Sequence, residues 1–439
     1  MVISRHISGK FRTFRYLVQT VLFGIYFIVP WVRIYGGLPL MRLDIPTRKT
    51  YLLGAIYIPQ EGIFLHLFLI IMGLSLFFFT SLIGRVWCGW ACPQTVFTDL
   101  FDIFGRLILG KKYGKKDAPV FGRALLQITW VLVALFSAFH FVAYFSDPYE
   151  MLKDIPLLFH RISELSWPYF TAFFAALLYL DMTFVREQFC KFACPYARFQ
   201  TVMLDGHSLN VTYDYKRGEP RRNKKEKIGD CTACNMCLVV CPTGIDIRDG
   251  LQVGCIACAK CVDACTIQMG KENKRSLIGY NTQELIENGA KIKWVRPRTI
   301  IYAVILTLVS ISAVNLLIKR IPFYLSILPD RNVLPMDVGD GTVRNFFNLS
   351  IHNLTFDDKN FKIQLDESST LFPAKLLIGE ENGFVTVPKN SQREIRVIVD
   401  AAIPTEYKHS KVFLNLKVRD EKRPDQIRTK SISISTPGN

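Results

Sequence analysis

The chain has 439 residues, half of them hydrophobic and 33 of them Phe, and a formal net charge of +17. That apolar content excludes a disordered chain. Its concentration in long uncharged runs excludes a purely soluble protein, since a bilayer core needs about 20 apolar residues per helical crossing.

Residues 1–16 form a basic terminus, followed by a first predicted span at 17–32 that Arg33 extends near its end. It is a span rather than a signal peptide, because Pro30 and Trp31 stand where a small-residue cleavage site would lie. Runs at 62–84, 124–146 and 299–318 meet the length for a crossing outright, and 165–180 does so once extended by Asp181. Orientation follows from basic residues in the short loops. Residues 1–16 and 84–124 hold 11 Lys and Arg, against 5 in 35–61 and 147–164. The amino terminus, the 84–124 loop and the segment 185–298 are thus predicted to face the cytoplasm, and everything after Lys319 the outside. All twelve cysteines then lie on the reducing side, which argues against disulfides.

Trp87-Cys88-Gly89-Trp90-Ala91-Cys92-Pro93-Gln94 follows the second span, and Phe189-Cys190-Lys191-Phe192-Ala193-Cys194-Pro195-Tyr196 follows the fourth. Two CxxxCP motifs, each ending a hairpin of spans on one membrane face, suggest a parallel internal repeat. Where the helix continues through them, an i, i+4 pair puts both sulfurs on one face, and the proline restricts how that helix can continue. Convergence of Cys88, Cys92, Cys190 and Cys194 would make a soft site of the kind that selects Cu(I), zinc or iron–sulfur clusters. The bland alternative is buried structural cysteine at a helix end.

The remaining eight cysteines form two copies of C-x2-C-x2-C-x3-C, at Cys231, Cys234, Cys237, Cys241 and at Cys255, Cys258, Cys261, Cys265. This is the ligand pattern of a ferredoxin with two [4Fe-4S] clusters, in which the fourth cysteine of each run serves the other cluster. One cluster would use Cys231, Cys234, Cys237 and Cys265, the other Cys255, Cys258, Cys261 and Cys241. Structural zinc takes four ligands per tetrahedral site and leaves this spacing unexplained. Pro242 follows the first run, whereas Thr266 stands where a second proline is expected. Just before the insert, residues 216–227 hold seven basic residues in twelve, a stretch suited to anionic lipid headgroups or an acidic redox partner. Nucleic-acid binding has no supporting motif, and no CxxCH, Walker loop or GxGxxG fingerprint supports attached haem, nucleotide or flavin.

Three intramembrane polar residues invite a role. His66 and His140 lie near the outer ends of the second and third spans and could ligate haem or line a quinol site, or simply hydrogen-bond between helices. Asp181 is a functional candidate near Cys190, or a partner for Arg186. Beyond about residue 335, the segments 345–354, 361–365, 393–401, 412–419 and 426–435 alternate apolar and polar residues, which predicts an antiparallel β-sandwich of immunoglobulin type. The expected order is a cytoplasmic terminus 1–16, a four-span domain 17–204, a ferredoxin-like domain 205–298, a fifth span 299–319 and an outer domain 335–439. The fold class is mixed: a polytopic helical membrane domain, a two-cluster insert and an Ig-like sandwich.

In this order the motifs GRVWCGWACPQ and FCKFACPYARFQ, the two-cluster insert, the last span and the cysteine-free outer domain resemble the CcoG/FixG/RdxA family over essentially the whole chain. The resemblance implies an inner-membrane cupric reductase that supplies Cu(I) for assembly of cbb-type cytochrome c oxidase. Copper would be handled at Cys88, Cys92, Cys190 and Cys194. The same resemblance implies a cytoplasmic copper chaperone, a copper-exporting ATPase or oxidase subunits as partners. The CxxxCP segments alone also resemble those of NapH-type quinol dehydrogenase subunits. A membrane electron-transfer subunit linking quinol to a partner protein, and a nonenzymatic assembly scaffold, are therefore the rival expectations.

Overall fold

A computed structural model of the chain describes residues 4–34, 37–115, 117–157, 164–222, 229–366, 372–379, 383–404 and 412–436. Two compact units result, one of Met1–Arg33, Pro39–Ile45 and Glu61–Val314, the other of Ile34–Leu38, Pro46–Gln60 and Asn315–Asn439.

The first unit is helical. Helices long and apolar enough to cross a membrane run over Lys10–Trp31, Ile63–Ile83, Val120–Val142, Trp167–Val185 and Pro297–Ile318. The first starts inside the basic terminus, ahead of residue 17, because Arg12, Arg15 and Gln19 turn one polar face onto the buried carboxylate of Asp99. Charges satisfied inside the protein do not end a helix as exposed ones at a membrane boundary would. Phe68, Leu69, Leu308 and Ile311 are left exposed, a surface suited to lipid and costly in water. The third and fourth spans share a core with the helix Pro93–Leu109, in which Ala134, Ala138 and Ala175 allow close approach around Phe101, Trp130 and Met182. Most of the expected 84–124 loop is therefore helix, with Asp99, Phe101 and Asp102 on its buried face.

Between the fourth and fifth spans, strands Asn210–Tyr213 and Ile278–Asn281 pair antiparallel and bracket the helices Met236–Val239 and Lys260–Gly270. The two cysteine runs share a backbone conformation: Ala233 and Asn235 have positive φ, and so do Ala257 and Ala259 at the matching places. Such conformations are uncommon for residues with a side chain, and their recurrence marks a structural repeat. Thr266 has a physical reason. The second helix runs on to Gly270, and Thr266 donates to the Val262 carbonyl at 2.8 Å, where proline would break the turn. Within the basic run, Arg217 pairs with Asp214 and Asp230, Arg221 with Glu219 and Asp249, and Arg222 with Glu272. Residues 223–228 of that run lie outside the described residues.

The second unit is a sandwich of two antiparallel sheets. One runs Ala374–Ile378, Gln392–Ala402, Thr342–Asn353, Phe323–Pro329, with Met336–Gly339 also on Thr342–Asn353; the other runs Phe384–Val387, Lys359–Leu365, Val412–Asp420, Ile427–Ile434. Alternate residues point inward, so that Phe347, Leu349, Phe361, Val385, Val397, Leu416 and Val418 form the core. Every segment expected to be a strand is one. Phe323–Pro329, Met336–Gly339, Ala374–Ile378 and Phe384–Val387 are additional, so the sandwich begins ahead of residue 335. A hairpin of Lys49–Leu52 and Ala55–Tyr57 joins this unit, with Tyr51, Ile56 and Ile58 buried against Leu354. The chain after the first span and the chain after the last thus share one hydrophobic cluster, as an odd number of crossings requires.

Candidate redox site

Two cavities lie in the cysteine-rich insert. Cys231, Cys234, Cys237 and Cys265 line one, with Tyr213, Met269 and Leu277. Cys241, Cys255, Cys258 and Cys261 line the other, with Ile245 and Ala257, and Cys237 borders it. Each cavity takes three cysteines from one run and the fourth from the other, the exchange that the spacing predicts. Among the described residues no three Cys, His, Asp or Glu side chains converge as ligands of a single metal ion would. The thiolates of a four-iron cluster each take a different iron and stand around a cavity, so the donor set fits a cluster better than zinc. Burial pushes the Cys255 thiol up to about 12 and that of Cys237 up to about 11, a penalty that coordination of the thiolate relieves.

The two CxxxCP segments have a common architecture. Val86–Trp90 is a short helix, the chain leaves it at Ala91, and Cys92 caps the new helix Pro93–Leu109. Phe189–Ala193 is a single π turn, and Cys194 caps Pro195–Met203. The same backbone bond closes both, from the Cys92 N–H to the Trp87 carbonyl and from the Cys194 N–H to the Phe189 carbonyl, each at 2.9 Å. Helix therefore does not run through both cysteines of a motif. Each proline instead occupies the first helical position, where its missing N–H costs nothing.

The four thiols are brought into electrostatic reach of one another. Burial, then the neighbouring thiols with Cys92 foremost, pushes Cys88 and Cys190 up to about 12. Cys88 Sγ donates to Gln200 Oε1 at 3.3 Å. Cys88 and Cys190 also join Ile256 and Cys258 in one cluster, which places the quartet against the second cavity. Gly89 permits that contact, because a Cβ there would lie 2.8 Å from the Cys258 backbone and still closer to the Ile256 carbonyl. Trp90 closes the same face by donating to Tyr280 Oη at 3.0 Å and to the Ala257 carbonyl at 3.3 Å.

The intramembrane candidates separate from this site. Asp181 accepts from Gln94 Nε2 at 3.0 Å. It does not pair with Arg186, which turns to the more deeply buried Asp102 and Glu187. His66 Nδ1 bonds the Gly62 carbonyl at 2.7 Å and His140 Nδ1 the Phe136 carbonyl at 2.9 Å. His140 sits among Phe27, Trp31, Phe136 and Phe139. Both histidines hydrogen-bond within their own helices. Gln200, Gly89 and Arg85 were not among the expected site residues. All three lie within the two quoted motifs, Arg85 and Gly89 in GRVWCGWACPQ and Gln200 at the end of FCKFACPYARFQ, but nothing in the spacing singled them out.

Five apolar spans, two thiol-lined cavities and a thiol quartet define a multi-pass membrane iron–sulfur redox protein. Residues 185–283 match the family described as a 4Fe-4S dicluster domain, 65–115 a 4Fe-4S binding domain, and 313–435 the IG-like fold at the C-terminal of FixG. Protein RdxA of Cereibacter sphaeroides is 36% identical over 423 residues, 91% of this chain and 89% of that one. RdxB of the same organism is 35% identical over 433 residues, 91% of this chain and 88% of that one. Nitrogen fixation protein FixG of Rhizobium meliloti is 32% identical over 422 residues, 83% of this chain and 79% of that one. The chain belongs to the CcoG/FixG/RdxA family.

Proposed function

We propose that this protein is a cupric reductase of the bacterial inner membrane, which delivers Cu(I) for assembly of a cbb-type cytochrome oxidase. The reading is carried by the contact between the thiol quartet and the second cysteine cavity, where Cys88, Cys190, Ile256 and Cys258 form one buried cluster. Cys231, Cys234, Cys237 and Cys265 would hold one [4Fe-4S] cluster, and Cys241, Cys255, Cys258 and Cys261 the other. When bound, these groups supply one-electron carriage at low potential. Cu(II) as substrate would take one electron at Cys88, Cys92, Cys190 and Cys194 and leave as Cu(I). Soft sulfur donors favour the cuprous product. Gln200 accepts the Cys88 thiol hydrogen and so orients that sulfur. The cysteine-bearing face is assigned to the cytoplasm and the sandwich to the periplasm. A copper chaperone, a copper-exporting ATPase and oxidase subunits are the proposed partners, and anionic lipid is assigned to the basic run before the insert.

The decisive experiment is anaerobic Cu(II) reduction by dithionite-reduced protein, with Cu(I) trapped by a chromogenic chelator. Wild type is compared with a Cys88→Ser/Cys190→Ser variant. Clusters that reoxidise in both while Cu(I) forms only with wild type support the assignment. Equal Cu(I) from both rejects the quartet as the copper site. A second reading, quinol-linked electron transfer, draws on an apolar cleft beside the Cys88 helix, lined by Val18, Leu76, Phe79, Ile83, Trp87 and Trp90. Activity that disappears on quinone depletion and returns with added quinol would favour it.

A further inference from the structure

Arg12, Arg15, Lys260, Arg186, Arg296 and Arg85 are all buried in the first unit. Arg12, Arg15 and Lys260 converge on Asp99, Arg186 lies against Asp102, and Arg296 against Asp205. Arg85 differs. It is 2% exposed, and among the described residues no carboxylate pairs with it. Its guanidinium donates to the Cys255 and Ala197 carbonyls at 3.2 Å, to Thr201 Oγ1 at 3.0 Å and to the Val253 carbonyl. All four acceptors are neutral, and its Nε has none.

A cation withdrawn from water needs an opposite charge nearby, and neutral acceptors offset its desolvation only in part. The acidic groups that act on Arg85 are the thiols of Cys255 and Cys88, one from the second cavity and one from the quartet, followed by the Tyr196 hydroxyl. Its fork also ties three segments together: 253–255 at that cavity, 197–201 in the helix that Cys194 caps, and its own position just before the Cys88 helix. Among the described residues, the cations at the first cavity are paired: Arg248, which lines it, with Asp246, and Arg222, which acts on Cys231, with Glu272.

We propose that Arg85 is the fixed counter-cation of the thiolate centre between the second cavity and the CxxxCP quartet, and that its charge raises the reduction potential there relative to the first cavity. Reduction adds negative charge, and a cation held in a medium of low dielectric favours the reduced form. The resulting gradient directs electrons from the first cavity through the second toward the quartet. Arg85 is thus a positioning and tuning residue. The inference rests on the reading of the cavities as cluster sites, but its readout needs no copper.

The test is an EPR-monitored potentiometric titration of the full-length protein as wild type, Arg85→Gln and Arg85→Lys, with iron and acid-labile sulfide measured in each. Arg85→Gln is expected to shift one cluster's equilibrium at least tenfold toward the oxidised form, about 59 mV for one electron, with the other cluster within threefold of wild type. Arg85→Lys is expected to keep both clusters within threefold. Unchanged potentials in Arg85→Gln, or an equal fall in both clusters, overturn the proposal. If Arg85→Gln does not retain iron, Arg85→Lys decides: a tenfold fall despite the retained charge assigns the effect to hydrogen bonding and rejects the counter-cation. A shifted potential in Arg85→Gln, with no Cu(II) reduction by the wild-type protein, would instead remove the cupric reading and leave this one standing.

Discussion

Asp99 shows most clearly how single residues hold the site in place. Burial pushes its carboxyl up, but Arg15, Lys260 and Arg12 outweigh that and hold it well below the usual carboxylate range. A depressed folded pKa gives stability that is fully present above the ordinary value of 3.8 and is lost as pH falls toward the depressed one. Thermal unfolding of the cysteine-bearing unit is therefore expected to be insensitive to this group between neutral pH and its ordinary value. Asp99→Asn would leave three buried cations without their carboxylate and should destabilise by about 3–5 kcal/mol at neutral pH, seen as a lowered melting temperature with early loss of cluster absorbance. Gly89→Val makes a different point. Its side chain would drive into the Cys258 and Ile256 backbone, so the quartet should separate from the second cavity. Copper-linked reoxidation of the clusters should slow at least tenfold while iron content stays near wild type; wild-type reoxidation would show that the contact is not the route.

Helices and strands were legible in the sequence to different depths. The spans could be read because lipid imposes a length and an absence of charge that few soluble segments meet. The start of the first span could not, since the partner that neutralises Arg12 and Arg15 lies more than eighty residues away. Long alternating strands such as Thr342–Asn353 announced themselves. Phe323–Pro329 was hidden because only residues 319–322 separate it from the last span, and Phe384–Val387 because four residues give too little alternation to see. The cysteine exchange between cavities was legible from spacing alone. The capping role of Cys92 and Cys194 was not, because the Cys-Pro pair limits a helix without saying that another starts there. In the sandwich core, Leu416→Ala should cost about 2–5 kcal/mol, for Leu416 is fully buried between the sheets. The cost should appear as a lower unfolding midpoint with unchanged cluster spectra.

Across the molecule, the proposed topology of five crossings puts the cysteine-bearing segments on one face and the sandwich with its Lys49–Tyr57 hairpin on the other. Membrane-impermeant thiol reagents applied to intact spheroplasts are therefore expected to label a cysteine placed at Thr386 in the sandwich. They should miss Cys234, the exposed cysteine of the insert, until the membrane is permeabilised. Labelling of both without permeabilisation would refute the assigned topology. No pattern in one sequence could have foretold that residues so far apart as 11 and 263 meet.

That meeting has a consequence in time. The backbone N–H groups of Phe11 and Arg12, at the start of the first span, donate to Asp263 at 3.2 and 2.9 Å, so the beginning of the first helix is finished by a side chain made some 250 residues later. A ribosome releases the opening turn long before its cap exists. Its free N–H groups gain their partner only when the cysteine-rich insert has emerged and folded. A newly made chain lacking its inorganic cargo should therefore carry a frayed, protease-sensitive leader that a mature one hides, giving quality control a handle at the first residues for defects near the middle of the polypeptide.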